Sequence, residues 1–244
     1  LVGGRGARPH PTPGPSPVGE GWPKAGEGCA EGAAPVGILA LQGDFARHAE
    51  ALGRAGLESR EIRRPEGLAE VSGLILPGGE STTYLKFFER EPGWEKAIRD
   101  FAASGRPLLA TCAGLILLAS RVENPAQASL GLLDVDVVRN AYGRQVDSFV
   151  GTATDARGAS IEAVFIRAPK IARVGASVEV LAREKADPVL VRSGNVFGAT
   201  FHPELSADPA VHRRIFAADG AGPSSRGRGM AADGARSDRG AVSR

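Results

Sequence analysis

Between Pro107 and Leu118 the chain reads Pro-Leu-Leu-Ala-Thr-Cys-Ala-Gly-Leu-Ile-Leu-Leu. Few folds can accommodate such a run. It predicts a short buried strand over Leu108–Thr111, a sharp turn at Cys112 and an apolar helix behind it. A thiol at that junction stands at the carboxyl edge of a parallel sheet. The free N–H groups of the helix's first turn lie beneath it and favour a thiolate. The pattern is a nucleophile elbow with cysteine in place of serine. Buried packing is the commoner role of a cysteine in an apolar run, so the rest of the chain has to decide between the two.

The neighbouring segments extend the same architecture. Val36–Leu41 is a continuous apolar run, as expected of a strand buried on both faces. Gly43–Ala55 predicts a helix with Phe45, Ala49 and Leu52 at helical spacing, stopped by Gly56. Strands follow at Ser59–Ile62 and Gly73–Pro77. Ser81 is expected to cap a helix through Glu89, and Trp94–Ala103 forms another. This β-α-β-α order predicts an α/β fold with a mostly parallel central sheet and helices on both faces, three layers in all. Beyond Asp134 the pattern changes. Segments near 134–138, 146–153, 161–166, 177–182, 188–193 and 196–201 read as strands without long helices between them, an antiparallel extension of the same sheet. A short amphipathic helix over Pro209–Ala217 closes the domain.

Composition bounds the function classes. Hydrophobic residues make up 42% and charged residues 24% of 244, ordinary for a globular protein. No apolar run approaches the roughly 20 residues that span a bilayer, and the start lacks a basic-then-apolar signal. A cytoplasmic protein with no membrane contact is expected. Val36–Ala218 holds 22 basic and 22 acidic residues, which argues against a nucleic-acid surface. Residues 1–35 contain seven Pro and nine Gly, and such a stretch cannot bury enough surface to offset its chain entropy. We expect a disordered head over 1–35, one folded domain over 36–218 and a disordered tail over 219–244. Cys29 lies in the head and is expected to be incidental. It and Cys112 offer neither a disulfide framework nor a Cys-x-x-Cys metal spacing.

A nucleophilic cysteine needs a base, and the base needs an orienting group. Of four histidines, His10 lies in the head. His48 is expected on a helix surface or interface, and His212 on a solvated helix face. His202 remains, in Ala199-Thr-Phe-His-Pro-Glu-Leu205. Residues i and i+2 of an extended strand end share a side, so Glu204 can hold one ring nitrogen while the other faces Cys112. Such a bond fixes tautomer and orientation. A third element, Leu76-Pro-Gly-Gly-Glu-Ser-Thr82, also ends a strand. Its paired glycines let the backbone approach a ligand. The loop can aim N–H groups at a developing oxyanion, with the Ala113 N–H as second donor. All three elements follow strands, where open α/β sheets bind ligands.

Thr111-Cys-Ala-Gly114 together with Phe201-His-Pro-Glu204 resembles the class I, triad-type glutamine amidotransferases, whose fold is flavodoxin-like. The narrower resemblance is to the glutaminase subunits of pyridoxal 5′-phosphate synthase. It rests on Gly37–Gly43, Leu74–Thr83, Arg139–Phe149 and Phe165–Pro169, and covers about Val36–Phe216. The resemblance implies hydrolysis of L-glutamine to glutamate and ammonia, with Cys112 as nucleophile, His202 as base and Glu204 as its support. It places Gly79, Glu80, Ser81, Arg139, Ile166 and Arg167 in the glutamine pocket, and Gly79 and Ala113 in the oxyanion hole. It implies no cofactor and no metal in this chain. It also implies a synthase partner that uses the ammonia, in an assembly of twelve subunits of each kind. A glutaminase serving another synthase and a non-catalytic scaffold are the alternatives. One departure stands out: two residues before the nucleophile the family usually has glycine, and this chain has Ala110. A tolerable crowding of the elbow is expected there.

Overall fold

The computed structural model describes residues 34–139 and 148–217. The expectations for the head, for the tail and for positions 140–147 therefore lie outside the described residues. In chain order the elements are β1 (Val36–Leu39), α1 (Phe45–Arg54), β2 (Ser59–Ile62), a 3-10 turn (Pro65–Glu70), β3 (Gly73–Leu76), α2 (Ser81–Arg90), α3 (Trp94–Ala103), β4 (Leu108–Thr111) and α4 (Ala113–Leu118). After them come β5 (Ala119–Glu123), β6 (Leu133–Val138), β7 (Phe149–Asp155), β8 (Ser160–Phe165), β9 (Lys170–Val174), β10 (Glu179–Glu184), β11 (Asp187–Ser193), β12 (Val196–Ala199), a second 3-10 turn (Pro203–Leu205) and α5 (Ala210–Phe216).

Nine strands form one sheet in the order β2-β1-β3-β4-β12-β11-β10-β7-β8. The run from β2 to β12 is parallel, and the rest is antiparallel. Strands β1, β3, β4 and β12 are buried at every position, which is why their sequences are apolar throughout rather than alternating. Successive side chains point to opposite faces. Leu74, Leu76, Leu108 and Ala110 meet Tyr84, Phe88, Trp94, Ile98 and Leu115 from α2, α3 and α4. Ile38, Ile75, Leu109 and Ala199 meet Leu52 of α1 and Val211 and Ile215 of α5. These two cores, one on each face, make the three layers.

Three expectations need correction. The segment at 134–138 is a strand, β6, but it does not extend the main sheet. It pairs with β5 and β9 in a separate three-stranded sheet packed in the first core. Neither β5 nor β9 was anticipated, because Ala119–Glu123 carries no period-2 pattern strong enough to separate it from α4. The first predicted helix starts at Phe45, two residues late, since Gly43 adopts φ +82°. A side chain at Gly43 would lie 1.8 Å from the Gly78 carbonyl oxygen. Ser81 is the first residue of α2 rather than its cap. Glu80 occupies the cap position without a capping bond, and the Ser81 hydroxyl donates to Gln127 Oε1 at 2.9 Å. Among the described residues no helix is long and apolar enough to cross a membrane.

Register brings the chemistry together. Thr111 lies beside Ala199, and Leu76 beside Ala110. The loops that follow β3, β4 and β12 therefore leave the sheet at the same carboxyl edge.

Candidate active site

Cys112 joins β4 to α4 with φ 47° and ψ −102°. Left-handed backbone at a residue with a Cβ is strained, and it persists where the surroundings over-determine it. Here the Cys112 N–H donates to the Ala199 carbonyl at 2.8 Å, and the Cys112 carbonyl accepts from Ile116 N–H at 3.1 Å. The thiol projects toward the Ile166 carbonyl, 4.0 Å away. A methyl group on Gly114 would lie 2.2 Å from the Leu76 carbonyl oxygen, so glycine is what lets α4 press onto β3. Ala110 is fully buried and keeps regular pairing to Leu76 and Gly198. The positive φ falls on Cys112, not on Ala110.

His202 follows β12, anchored by its N–H to the Val164 carbonyl at 2.8 Å. Its Nδ1 and Glu204 Oε1 are 2.7 Å apart. The pair forms across the entry to the 3-10 turn Pro203–Leu205, not along an extended strand end as expected. The turn rather than the pleat sets the i, i+2 contact. The ring and the Cys112 side chain stand side by side, both within reach of the Gly78 α-carbon and both lining one cavity. Burial disfavours the imidazolium, but the adjacent Cys112 and Glu204 outweigh it and push His202 up to about 10. Burial likewise opposes charge on Glu204. The neighbouring His48 ring and the His202 hydrogen bond hold the carboxyl down at about 2.

The paired glycines make room for this arrangement. A methyl on Gly78 would sit 2.5 Å from His202 Cε1 and 3.4 Å from Cys112 Cβ. Gly79 has φ +133°, and its missing side chain leaves space for Gln42. Gln42 Oε1 accepts the Glu80 N–H at 2.9 Å and so pins the loop.

A cavity of about 200 Å³ opens over the thiol. Cys112, His202, Gly79, Glu80, Ser81, Arg139, Ile166 and Arg167 all line it. Glu204 stands behind His202, 2% exposed. Ala113 is buried and outside the lining, so only its backbone could serve a ligand. Arg139 Nη2 lies 3.2 Å from Glu80 Oε1, an opposed charge pair on one wall. Arg167 has φ +44°. The structure adds Asp44, Gly78, Ile116 and Pro169 to the lining. The signal for Asp44 was its place in the loop after β1, which leaves by the same sheet edge. Among the described residues no group of three or more His, Cys, Asp or Glu side chains could hold a metal ion.

Two histidines contradict the sequence expectation. His48 and His212 are both fully buried. His48 Nδ1 lies 2.9 Å from His212 Nε2, and His48 Nε2 lies 3.3 Å from Glu204 Oε2 and 3.3 Å from Thr111 Oγ1. Both helices turn these polar side chains inward against the Glu204 turn, which periodicity alone assigns to solvent. Burial lowers the pKa of His48, helped by His202 and resisted by Glu204 and Asp44. Burial also lowers His212 to about 3, with the neighbouring His48 and Arg54 acting in the same direction.

A thiol at a strand-to-helix elbow, beside a hydrogen-bonded His–Glu pair on an open α/β sheet, is the arrangement expected of a triad-type amidotransferase site. Comparison with known proteins places the chain within that class. It belongs to the SNO glutamine amidotransferase family, whose pattern matches residues 38–218. Pyridoxal 5'-phosphate synthase subunit PdxT of Koribacter versatilis is 51% identical over 178 residues, covering 72% of this chain and 91% of that protein. PdxT of Thermotoga petrophila is 49% identical over 180 residues, covering 73% and 95%. A crystal structure of a glutamine amidotransferase matches with a TM-score of 0.69 at 48% identity, covering 74% of this chain and 96% of that one. PurLQS from Thermotoga maritima shares the fold, with a TM-score of 0.56 at 17% identity over 75% of this chain and 94% of that one.

Proposed function

We propose that this chain is the glutaminase subunit of a pyridoxal 5′-phosphate synthase, working through Cys112, His202 and Glu204. The observation that carries the proposal is the Cys112–His202–Glu204 series, the ring bonded to Glu204 and standing beside the thiol, set beneath a cavity walled by Arg139 and Glu80. The Cys112 thiolate attacks the side-chain amide carbon of L-glutamine. The oxyanion that forms is held by the backbone N–H groups of Gly79 and Ala113. His202, protonated and held by Glu204, gives its proton to the departing nitrogen, and ammonia leaves. Water then attacks the thioester carbon while His202 takes its proton, which releases glutamate and restores the thiolate.

The pocket suits an amino acid. A guanidinium binds a carboxylate through paired charged hydrogen bonds, so Arg139 fits the α-carboxylate of glutamine and Glu80 the α-ammonium. Ser81, Ile166 and Arg167 complete the walls. The relatives, subunits of pyridoxal 5'-phosphate synthase, support a synthase partner that consumes the ammonia directly. Free ammonia would otherwise be protonated and lost at neutral pH. The assembly is twelve subunits of each kind, in the cytoplasm, and the working domain is 36–218. The full chain mixed with its cognate synthase subunit and L-glutamine should release glutamate, and Cys112→Ala should abolish the release. Release that survives Cys112→Ala would overturn the proposal.

A further inference from the structure

Glu204 has two oxygens, and only one of them meets His202. Oε1 accepts from the His202 ring at 2.7 Å. Oε2 is buried and forms no aligned hydrogen bond, and His48 Nε2 faces it at 3.3 Å. A buried carboxylate oxygen without a donor is costly. An ionised carboxylate can only accept, so the ring nitrogen facing Oε2 must carry the hydrogen. His48 is then the Nε2–H tautomer, and its Nδ1 is an acceptor. The group placed to supply that acceptor is His212, whose Nε2 lies 2.9 Å away. His212 must therefore be the Nε2–H tautomer too. Its own Nδ1 is buried and unpartnered, which is tolerable for a bare lone pair and worse for an N–H.

We propose that His48 is a positioning residue for the glutaminase reaction, donating from Nε2 to Glu204 Oε2 and locked in that tautomer by His212. The line runs from the thiol through His202, Glu204 and His48 to His212, and joins β4, the 3-10 turn after β12, α1 and α5. Both outer rings stay neutral. The groups that face them are Glu204, His202, Asp44 and Arg54, and burial outweighs the two carboxylates. A neutral donor fixes the carboxylate without cancelling its charge, so Glu204 keeps its full effect on His202. The 3.3 Å contact tightens as the imidazolium forms and draws Glu204 into line, as catalytic hydrogen bonds commonly do. Thr111, next to the nucleophile, shares the same His48 nitrogen at 3.3 Å and ties the relay to the elbow.

His48 acts only through a working triad, so this role rests on the function proposed above. Two measurements test it. In the full chain, long-range proton–nitrogen NMR of the histidine rings should show His48 and His212 neutral and Nε2-protonated from pH 7 to 9. A His48 ring protonated at Nδ1, or titrating within that range, overturns the proposal without any variant having to fold. In the complex with the synthase subunit, His48→Phe should lower kcat about 10- to 100-fold, the usual cost of losing a supporting partner, with KM within about two-fold. His48→Gln keeps a donor near Nε2 and should recover most of that loss. Equal losses in the two variants, or no loss in His48→Phe, overturn it. If Cys112→Ala stays active, the triad itself is wrong. If Cys112→Ala is dead and the His48 variants match wild type, only the role of His48 falls.

Discussion

Gly78 faces His202 so closely that a methyl group on its α-carbon would lie 2.5 Å from the ring's Cε1 and 3.1 Å from Nδ1. The ring cannot swing aside without leaving Glu204 or Cys112. Gly78→Ala should therefore fold and yet lose activity. A displacement of about 1 Å in a catalytic group costs on the order of 100-fold, and glutamate release by the variant in complex with the synthase measures it. Wild-type turnover in a folded Gly78→Ala would show that the contact does not position the base.

Gly114 presents the opposite case, a stability effect set by backbone. The methyl of Gly114→Ala would meet the Leu76 carbonyl oxygen at 2.2 Å, and a strand carbonyl in the centre of a sheet has nowhere to go. Overpacking of this kind costs about 1–3 kcal/mol and occasionally more. A urea titration followed by circular dichroism should show the midpoint falling accordingly.

The His202–Glu204 pair is expected to set the alkaline limit of the reaction. His202 is raised above its ordinary 6.5 to about 10, so the pair's contribution to stability is fully present below 6.5 and is lost as pH rises through about 10. Glu204→Gln removes the charge that holds the imidazolium. The alkaline limb of kcat/KM should then move to lower pH, and kcat should fall by up to about 10⁴-fold, as when other triads lose the orienting acid. An unshifted limb would assign that limb to another group.

His212 acts on stability with the other sign. Its folded-state pKa is depressed from 6.5 to about 3, so the unfolded chain binds the extra proton in that interval. Stability should decline as pH falls from 6.5 toward 3, by about 1.4 kcal/mol per unit for each such histidine. His212→Leu removes one of these protons. Thermal melts across that range should give a flatter dependence of Tm on pH for the variant than for wild type.

Arg139 is 14% exposed and paired with Glu80 across the pocket. If it holds the substrate carboxylate, Arg139→Ala removes binding that is common to ground and transition states. KM for glutamine should rise about 10-fold or more with kcat changed little, as initial-rate kinetics with the synthase present would show.

Much of the fold was open to inspection from residues 36–118. Val36–Leu39, Gly73–Leu76 and Leu108–Thr111 are apolar without interruption, and only a parallel strand covered on both faces asks for that. Helix α3 falls on its predicted bounds because Gly93 and the periodic Trp94, Ile98 and Phe101 mark its start and its inner face. Apart from β9, the strands after β6 were placed to within a few residues at their ends. What escaped was pairing: nothing local tells β6 to join β5 and β9 instead of the main sheet. Cys112, His202 and Glu204 could be named as a set because each is tied to a local device, an elbow, a strand end and a turn. The glycines of Gly78-Gly79 and the charged Glu80 and Arg139 were named as well, and the structure gathers them around one cavity.

The amino-acid order alone determined most of the extended and helical segments and where the thiol meets its chemistry, since these follow from spacing within about ten residues. Only the tertiary structure decided the surroundings of His48 and His212. Each looked like a surface residue on its own helix, and both are fully buried. The reason is geometric. The two rings come from positions 164 residues apart; each is made tolerable in the interior by the other, and His48 also by Glu204 and Thr111. A buried polar group is defined by its partner, and no stretch of sequence near either histidine contains that partner.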